Sequence, residues 1–262
     1  MQMHGLLDVL PLWVLFAATL VITQLSFEGG FLVGKQRSRR SEQEREVVGG
    51  GLGEGMLALA AFMLAFTFGA ASSHFDTRRQ AIIDEANAIR AAYLRADLLP
   101  EPHRAEIRDL LREYVEVRLE SVRSGNFEQA IARSEELHKR LWLQAAASRE
   151  KPSTLDFAAD FVQPLNEIVA LHTRRVIVGL EFRIPNIIWV VLYVITALAA
   201  ASIGYHSGLT RSKRPLIALA LIFAFSAVIF LIEDIDRPWD GFLEVSQRAL
   251  TDLQRKMNAQ TP

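Results

Sequence analysis

Three carboxylates stand within four residues at Glu233, Asp234 and Asp236, directly after an apolar run and ahead of Pro238, Trp239 and Gly241. Carboxylate oxygens at that density suit a hard divalent cation such as calcium. The competing reading is an acidic helix end that fixes interfacial depth, and composition alone favours it. A second polar group lies on FDTRRQAIIDEANAIRAAYLRADLLP, residues 75–100, where Asp76, Arg78, Arg79, Asp84, Glu85, Asn87, Arg95 and Asp97 alternate in charge. On a helix, i,i+4 pairing along a solvated face accounts for such alternation, at about 0.3–0.5 kcal/mol per pair.

Other chemistries fall away. The chain has no cysteine, which removes disulfides, thiolate metal sites and cysteine nucleophiles together. Its histidines (His4, His74, His103, His138, His172 and His206) show no metal-ligand spacing such as H-E-x-x-H, so core or solvated roles fit them better. GGGLGEG, residues 49–55, lacks the Lys-Ser/Thr of a phosphate loop and reads as a flexible entry into a helix. No nucleophile elbow is present, and no enzyme is expected. A net charge of -1 gives no electrostatic case for a nucleic-acid partner.

The elements that must position these residues are membrane helices. A bilayer core about 30 Å thick needs about 20 mainly apolar residues in a helix. Four runs qualify: one from about Leu6 to Phe27, with Asp8 and Pro11 in its first turns; one from about Leu52 to Phe75; one from Pro185 to Tyr205; and one opening at Pro215. A signal peptide fits the first poorly, since no Lys or Arg precedes it and no A-x-A pattern closes it, and a retained helix is expected. The second is rich in Ala and Gly with Phe62, Phe66 and Phe68 between, which suits close helix packing inside an assembly. Trp189 and Tyr205 sit near the two interfaces of the third.

Lys35, Arg37, Arg39, Arg40 and Arg45 fall between the first two spans, and Arg211, Lys213 and Arg214 between the last two. Short basic loops stay cytoplasmic, whereas long domains translocate largely regardless of charge. The large domain is therefore expected outside.

Between the second and third spans, helical stripes recur. They are Ile82, Ala86, Ile89 and Tyr93; Ile107, Leu110, Tyr114, Val117 and Val122; Ile131, Leu137 and Leu141; and Leu155, Phe161, Leu165, Ile168 and His172. The residues 98–102, LLPEP, break the first helix, and Gly125-Asn126 ends the second. The prediction is an all-α, polytopic membrane protein with four transmembrane helices and a four-helix, antiparallel, water-exposed domain between the second and third spans. Its parts are a hairpin over 1–75 with a basic loop at about 28–51, a bundle over 76–184, a hairpin over 185–232, and an acidic motif with tail over 233–262.

LAFTFGAASSHFDTRRQ and DEANAIRAAYLRADLLP, joined to IFLIEDIDRPWDGFLEVS near the C-terminus, resemble a bacterial family of membrane proteins classed as bestrophin-like. The resemblance runs from the second span to about Leu253. Arg90-Ala91 stands where that family usually has Gly-Thr, and Arg248-Ala249 where a Pro is common. It implies a multi-pass protein of the bacterial cytoplasmic membrane. More distantly the chain is similar to bestrophins proper, pentameric anion channels whose pore is lined by the second span and whose calcium clasp is an acidic run after the last span. That similarity implies a homo-oligomer, a pore lined by Phe62, Phe66, Ala70 and Ser73, and a cation site at Glu233, Asp234 and Asp236. In bestrophins the large domain is cytosolic, opposite to the placement by charge.

Two functions follow. An oligomeric ion channel would use Phe62 and Phe66, four apart on one helix face, as apolar rings that gate by dewetting, with Phe68 turned towards a neighbouring helix. A membrane sensor or scaffold would use the bundle as an extracytoplasmic domain for a ligand or partner.

Overall fold

The computed structural model describes residues 10–38, 51–148, 155–180, 182–210, 215–238 and 241–259. Asp8, Arg39, Arg40, Arg45, Arg211, Lys213, Arg214, Trp239 and the first two glycines of GGGLGEG lie outside them. The described residues form helices and no strand: α1 Leu12–Arg37, α2 Gly51–Arg95 with a 3-10 turn Ala96–Leu98, α3 His103–Ser124, α4 Phe127–Ala147, α5 Leu155–Leu180, α6 Asn186–Thr210, α7 Pro215–Asp236 and α8 Arg248–Ala259. Four of them, α1, α2, α6 and α7, are long and apolar enough to cross a membrane.

The chain divides into two compact units. The first comprises Met1–His74 and Arg183–Leu243. Within it α1 packs along α6 and against α7. The α1–α6 contact is made by glycines spaced four apart on each helix. A Cβ added at Gly30 would stand 2.0 Å from the Ala201 carbonyl oxygen, and one at Gly34 2.1 Å from that of Tyr205. Reciprocally, a Cβ at Gly204 would meet the Phe27 oxygen at 2.0 Å and one at Gly208 the Phe31 oxygen at 2.3 Å. Helices in lipid have no hydrophobic drive to associate, so backbone-to-backbone packing of this kind supplies the attraction.

This packing moves the first span's boundaries. Where Leu6 to Phe27 was expected, α1 runs on through Glu28-Gly29-Gly30 to Arg37, and Lys35 and Arg37 form its last turn. Glycine weakens a helix in water by about 1 kcal/mol, but tertiary packing overrides that preference where the glycine itself makes the contact. At the other end of the unit, Glu233, Asp234 and Asp236 complete the last turn of α7 and do not follow it; the Arg237 amide still bonds the Glu233 carbonyl at 3.2 Å.

The second unit comprises Phe75–Phe182 and Glu244–Pro262. Ile82, Ala86, Ile89 and Tyr93 of α2, Ile107, Leu110 and Tyr114 of α3, Leu137 and Leu141 of α4, and Phe161, Leu165 and Ile168 of α5 share one core. Each large apolar side chain buried there contributes about 1.5–3 kcal/mol relative to exposure. Val117, Val122 and Ile131 are only half-buried. Gly125 caps α3 at φ 71°, its amide on the Ser121 carbonyl, and the Asn126 side chain accepts the Gln129 amide to start α4. The bundle has a fifth helix that the stripes between the spans did not include. Leu250, Leu253 and Met257 of α8 enter the same core, and the Tyr93 hydroxyl donates to the Met257 carbonyl at 3.3 Å.

Candidate functional site

Three groups of residues in this fold have chemical potential, and they behave differently. On α2 between Phe62 and Ser73, the face carrying Ala60, Leu64, Thr67 and Ala71 is buried. The opposite face carries Phe62 and Phe66, 65% and 63% exposed, with Gly69 and Ser73 following at helical spacing. Nothing lies within 4 Å of a Cβ built at Gly69. Ala70 sits on the flank and is half-buried. Phe68, expected to pack against a neighbouring helix, is 37% exposed.

The acidic run diverges. Asp234 accepts the Phe242 amide at 2.5 Å on one oxygen and the Leu243 amide at 3.1 Å on the other. Asp236 accepts the Ile184 amide at 3.1 Å and the Arg183 Nε at 3.0 Å, again one on each oxygen. Glu233 turns inward, where the Tyr193 hydroxyl reaches it at 2.7 Å; Thr19 Oγ1 lies 2.9 Å from that hydroxyl. Three carboxylates thus serve three separate sets of donors, fastening the α5–α6 connection and the turn after α7. Among the described residues no group of three or more His, Asp or Glu converges to hold a metal ion. The arrangement does not fit a calcium centre.

The charged stretch of α2 is likewise split. Asp76, Arg79, Asn87 and Arg95 are exposed, while Arg78 and Glu85 face inward. Asp84 pairs with Arg174 at 3.6 Å. Glu85, fully buried at 0%, is the centre of a polar core inside the bundle. Arg175 Nη1 donates to its Oε2. The Tyr114 hydroxyl donates to its Oε1 at 2.6 Å, and Arg118 Nε faces the same oxygen at 3.5 Å. Because a carboxylate only accepts, Tyr114 must give its hydrogen to Glu85, so its oxygen accepts from His172 Nδ1 at 3.2 Å. His172 therefore carries a hydrogen on Nδ1.

His138 completes the cluster. Its ring lies 5.0 Å from that of Tyr114 and 4.9 Å, edge-on, from that of His172. His138 Nε2 is buried with no hydrogen-bond partner. Burial first, then Arg118, holds the His172 imidazole down at about 4. Burial also lowers His138 and raises the Tyr114 phenol well above its ordinary value. The carboxylate of Glu85 against two guanidiniums leaves one positive charge in excess before either imidazole is protonated. Two imidazolium rings at 4.9 Å would repel by about 3 kcal/mol at an effective dielectric of about 20.

Residues 19–250 match the Bestrophin-like domain. The chain belongs to the Bestrophin-like family. No curated protein and no solved structure matches it. This bestrophin-like chain therefore combines a multi-pass apolar unit with a helical bundle whose centre is ionic. Sequence reasoning reaches Glu85, Tyr114, His138 and His172 but does not join them, gives Arg175 no place in a site, and misses Arg118. A signal was available: Glu85, Arg118 and Arg175 each occupy a position whose helical neighbours, such as Ile82 and Ile89 for Glu85, are core residues.

Proposed function

We propose that this protein is the subunit of a homo-oligomeric ion channel of the bacterial cytoplasmic membrane, with the Phe62–Ser73 face of α2 lining the pore. The observation that carries the reading is the exposure of Phe62 and Phe66, opposite a buried face of small and aliphatic residues on the same helix. Among the described residues little covers these rings, which leaves them to lipid or another copy. A cyclic arrangement of copies would stack them as two apolar rings about 6 Å apart along the axis. Such a constriction gates by dewetting. Gly69 and Ser73 would line the wider part of the path, with Ala70 at its flank. Membership of the Bestrophin-like family supports a ring of five and an anion as the permeant species. The basic ends of the two short loops support their placement in the cytoplasm, with the bundle outside.

The test is a mass measurement of the purified protein in detergent, paired with planar-bilayer recording. A closed oligomer with unitary currents is expected. A monomer without conductance would end the channel reading and leave the bundle as a sensory or scaffold domain.

A further inference from the structure

We propose that the Glu85 core of the bundle is a proton-operated latch, in which protonation of His172 and His138 drives α4 and α5 away from Glu85 and Tyr114. The inference is independent of whether the protein conducts ions, because every group involved lies within the second unit.

The geometry carries it. His172 donates from Nδ1 to Tyr114 and Tyr114 in turn to Glu85, so a further proton on His172 goes to Nε2 and adds charge to the core without adding a bond to either partner. The groups that face the two imidazoles are Glu85 from α2, Arg118 and Tyr114 from α3, Glu135 from α4 and Arg175 from α5. Two of these are cations buried beside a single buried carboxylate, and Glu135 is at a helix surface. A proton added to His172 has no new acceptor among them and faces Arg118, Arg175 and the His138 ring. A proton on His138 meets the same excess. Each protonation therefore favours conformations in which water reaches the rings, which requires α4 and α5 to part from the core.

The direction with pH follows from linkage. His172 ordinarily titrates near 6.5 and is held at about 4 in the folded bundle. Between those values the opened chain binds a proton that the closed bundle does not, so closure weakens as pH falls through the window from 6.5 to 4. At pH 4.5 this residue alone raises the open population by a factor on the order of 60 over pH 7. His138, lowered in the same direction, adds to it.

The experiment is hydrogen–deuterium exchange on the full-length protein in lipid nanodiscs at pH 7.5 and 4.5, corrected for the pH dependence of chemical exchange. Peptides from 127–147 and 161–180 should lose protection at least tenfold at pH 4.5 while those from 186–210 keep theirs. The variant His138→Gln/His172→Gln should show less than threefold loss. If wild type keeps its protection at pH 4.5, or the variant loses as much as wild type, the proposal falls. Should the variant not fold, imidazole NMR of the wild type decides. Two resonances titrating well below 6.5 together with the loss of protection uphold the latch, and imidazoles that all titrate at 6.5 or above overturn it.

Discussion

Tyr114 gives its hydroxyl hydrogen to Glu85, 29 positions earlier in the chain, across 2.6 Å of buried space. Deleting the donor leaves a carboxylate oxygen short of one partner, at a cost of about 1–3 kcal/mol for Tyr114→Phe. Deleting the acceptor is worse. Glu85→Ala strands the guanidiniums of Arg118 and Arg175 inside the bundle, and breaking a buried pair from one side costs about 3–5 kcal/mol. Denaturant unfolding of both variants and their double mutant checks this, with strong non-additivity expected because the residues share one network. Two shifts that are small and additive would mean that the core is hydrated and weakly coupled.

Two glycines of the first unit respond differently to added methyl groups. Gly204→Ala places a Cβ 2.0 Å from the Phe27 carbonyl oxygen, a backbone atom that cannot swing aside. The α1–α6 contact must spread, and a loss of about 3 kcal/mol is expected. Gly69→Ala meets nothing within 4 Å and gains up to about 1 kcal/mol of helix propensity. Thermal melting in detergent that ranks the two variants in the opposite order would contradict the glycine interlock.

Asp234 and Asp236 spend both oxygens on internal donors. Asp234→Asn and Asp236→Asn should therefore lower the melting temperature in calcium-free buffer, each by the equivalent of about 1.5–3 kcal/mol for a charged hydrogen bond. Calcium should leave wild type and variants alike unmoved. A calcium-dependent rise in the wild type that both variants abolish would show a cation site by mass action on the folded state.

The bundle helices were legible because their stripes are set by local spacing: Ile82, Ala86, Ile89 and Tyr93 are all buried as the four-three-four pattern requires. The helix stops at Leu98–Pro102 and Gly125 were legible for the same reason. The α1–α6 interlock was not, although Gly30-x-x-x-Gly34 and Gly204-x-x-x-Gly208 stand in the sequence. Hydropathy ended the first span at Phe27, which left half of the pattern in a loop. The cation reading of the acidic run rests on density and on resemblance, and neither shows where each carboxylate turns. The Glu85 core joins residues up to 90 positions apart, and only the packed bundle brings them together.

The charge rule predicts sidedness from Lys35 and Arg37 at the end of α1, Arg39, Arg40 and Arg45 beyond it, and Arg211, Lys213 and Arg214 between the last two spans. Reporter fusions should read cytoplasmic at the first of these groups and extracytoplasmic at Gly125. A cytoplasmic reading at Gly125 would reverse the topology and bring it into line with bestrophins proper.

Phe62 and Phe66 decide between a pore and a packing surface. Their exposure of 65% and 63% means that little of either ring is buried by its own chain. A well-buried Phe cut to Ala costs about 3–5 kcal/mol, so Phe62→Ala and Phe66→Ala should each cost the folded protomer well under 1 kcal/mol. If the rings form the constriction, removing them widens it, and liposome flux should rise or become constitutive while the oligomer stays intact. If they instead glue one copy to the next, the oligomer should dissociate and flux should fall. If they face lipid, neither flux nor assembly should change. Flux, size-exclusion mass and detergent melting on the same two variants separate the three outcomes. Only raised flux with unchanged mass and melting is consistent with Phe62 and Phe66 as the gate.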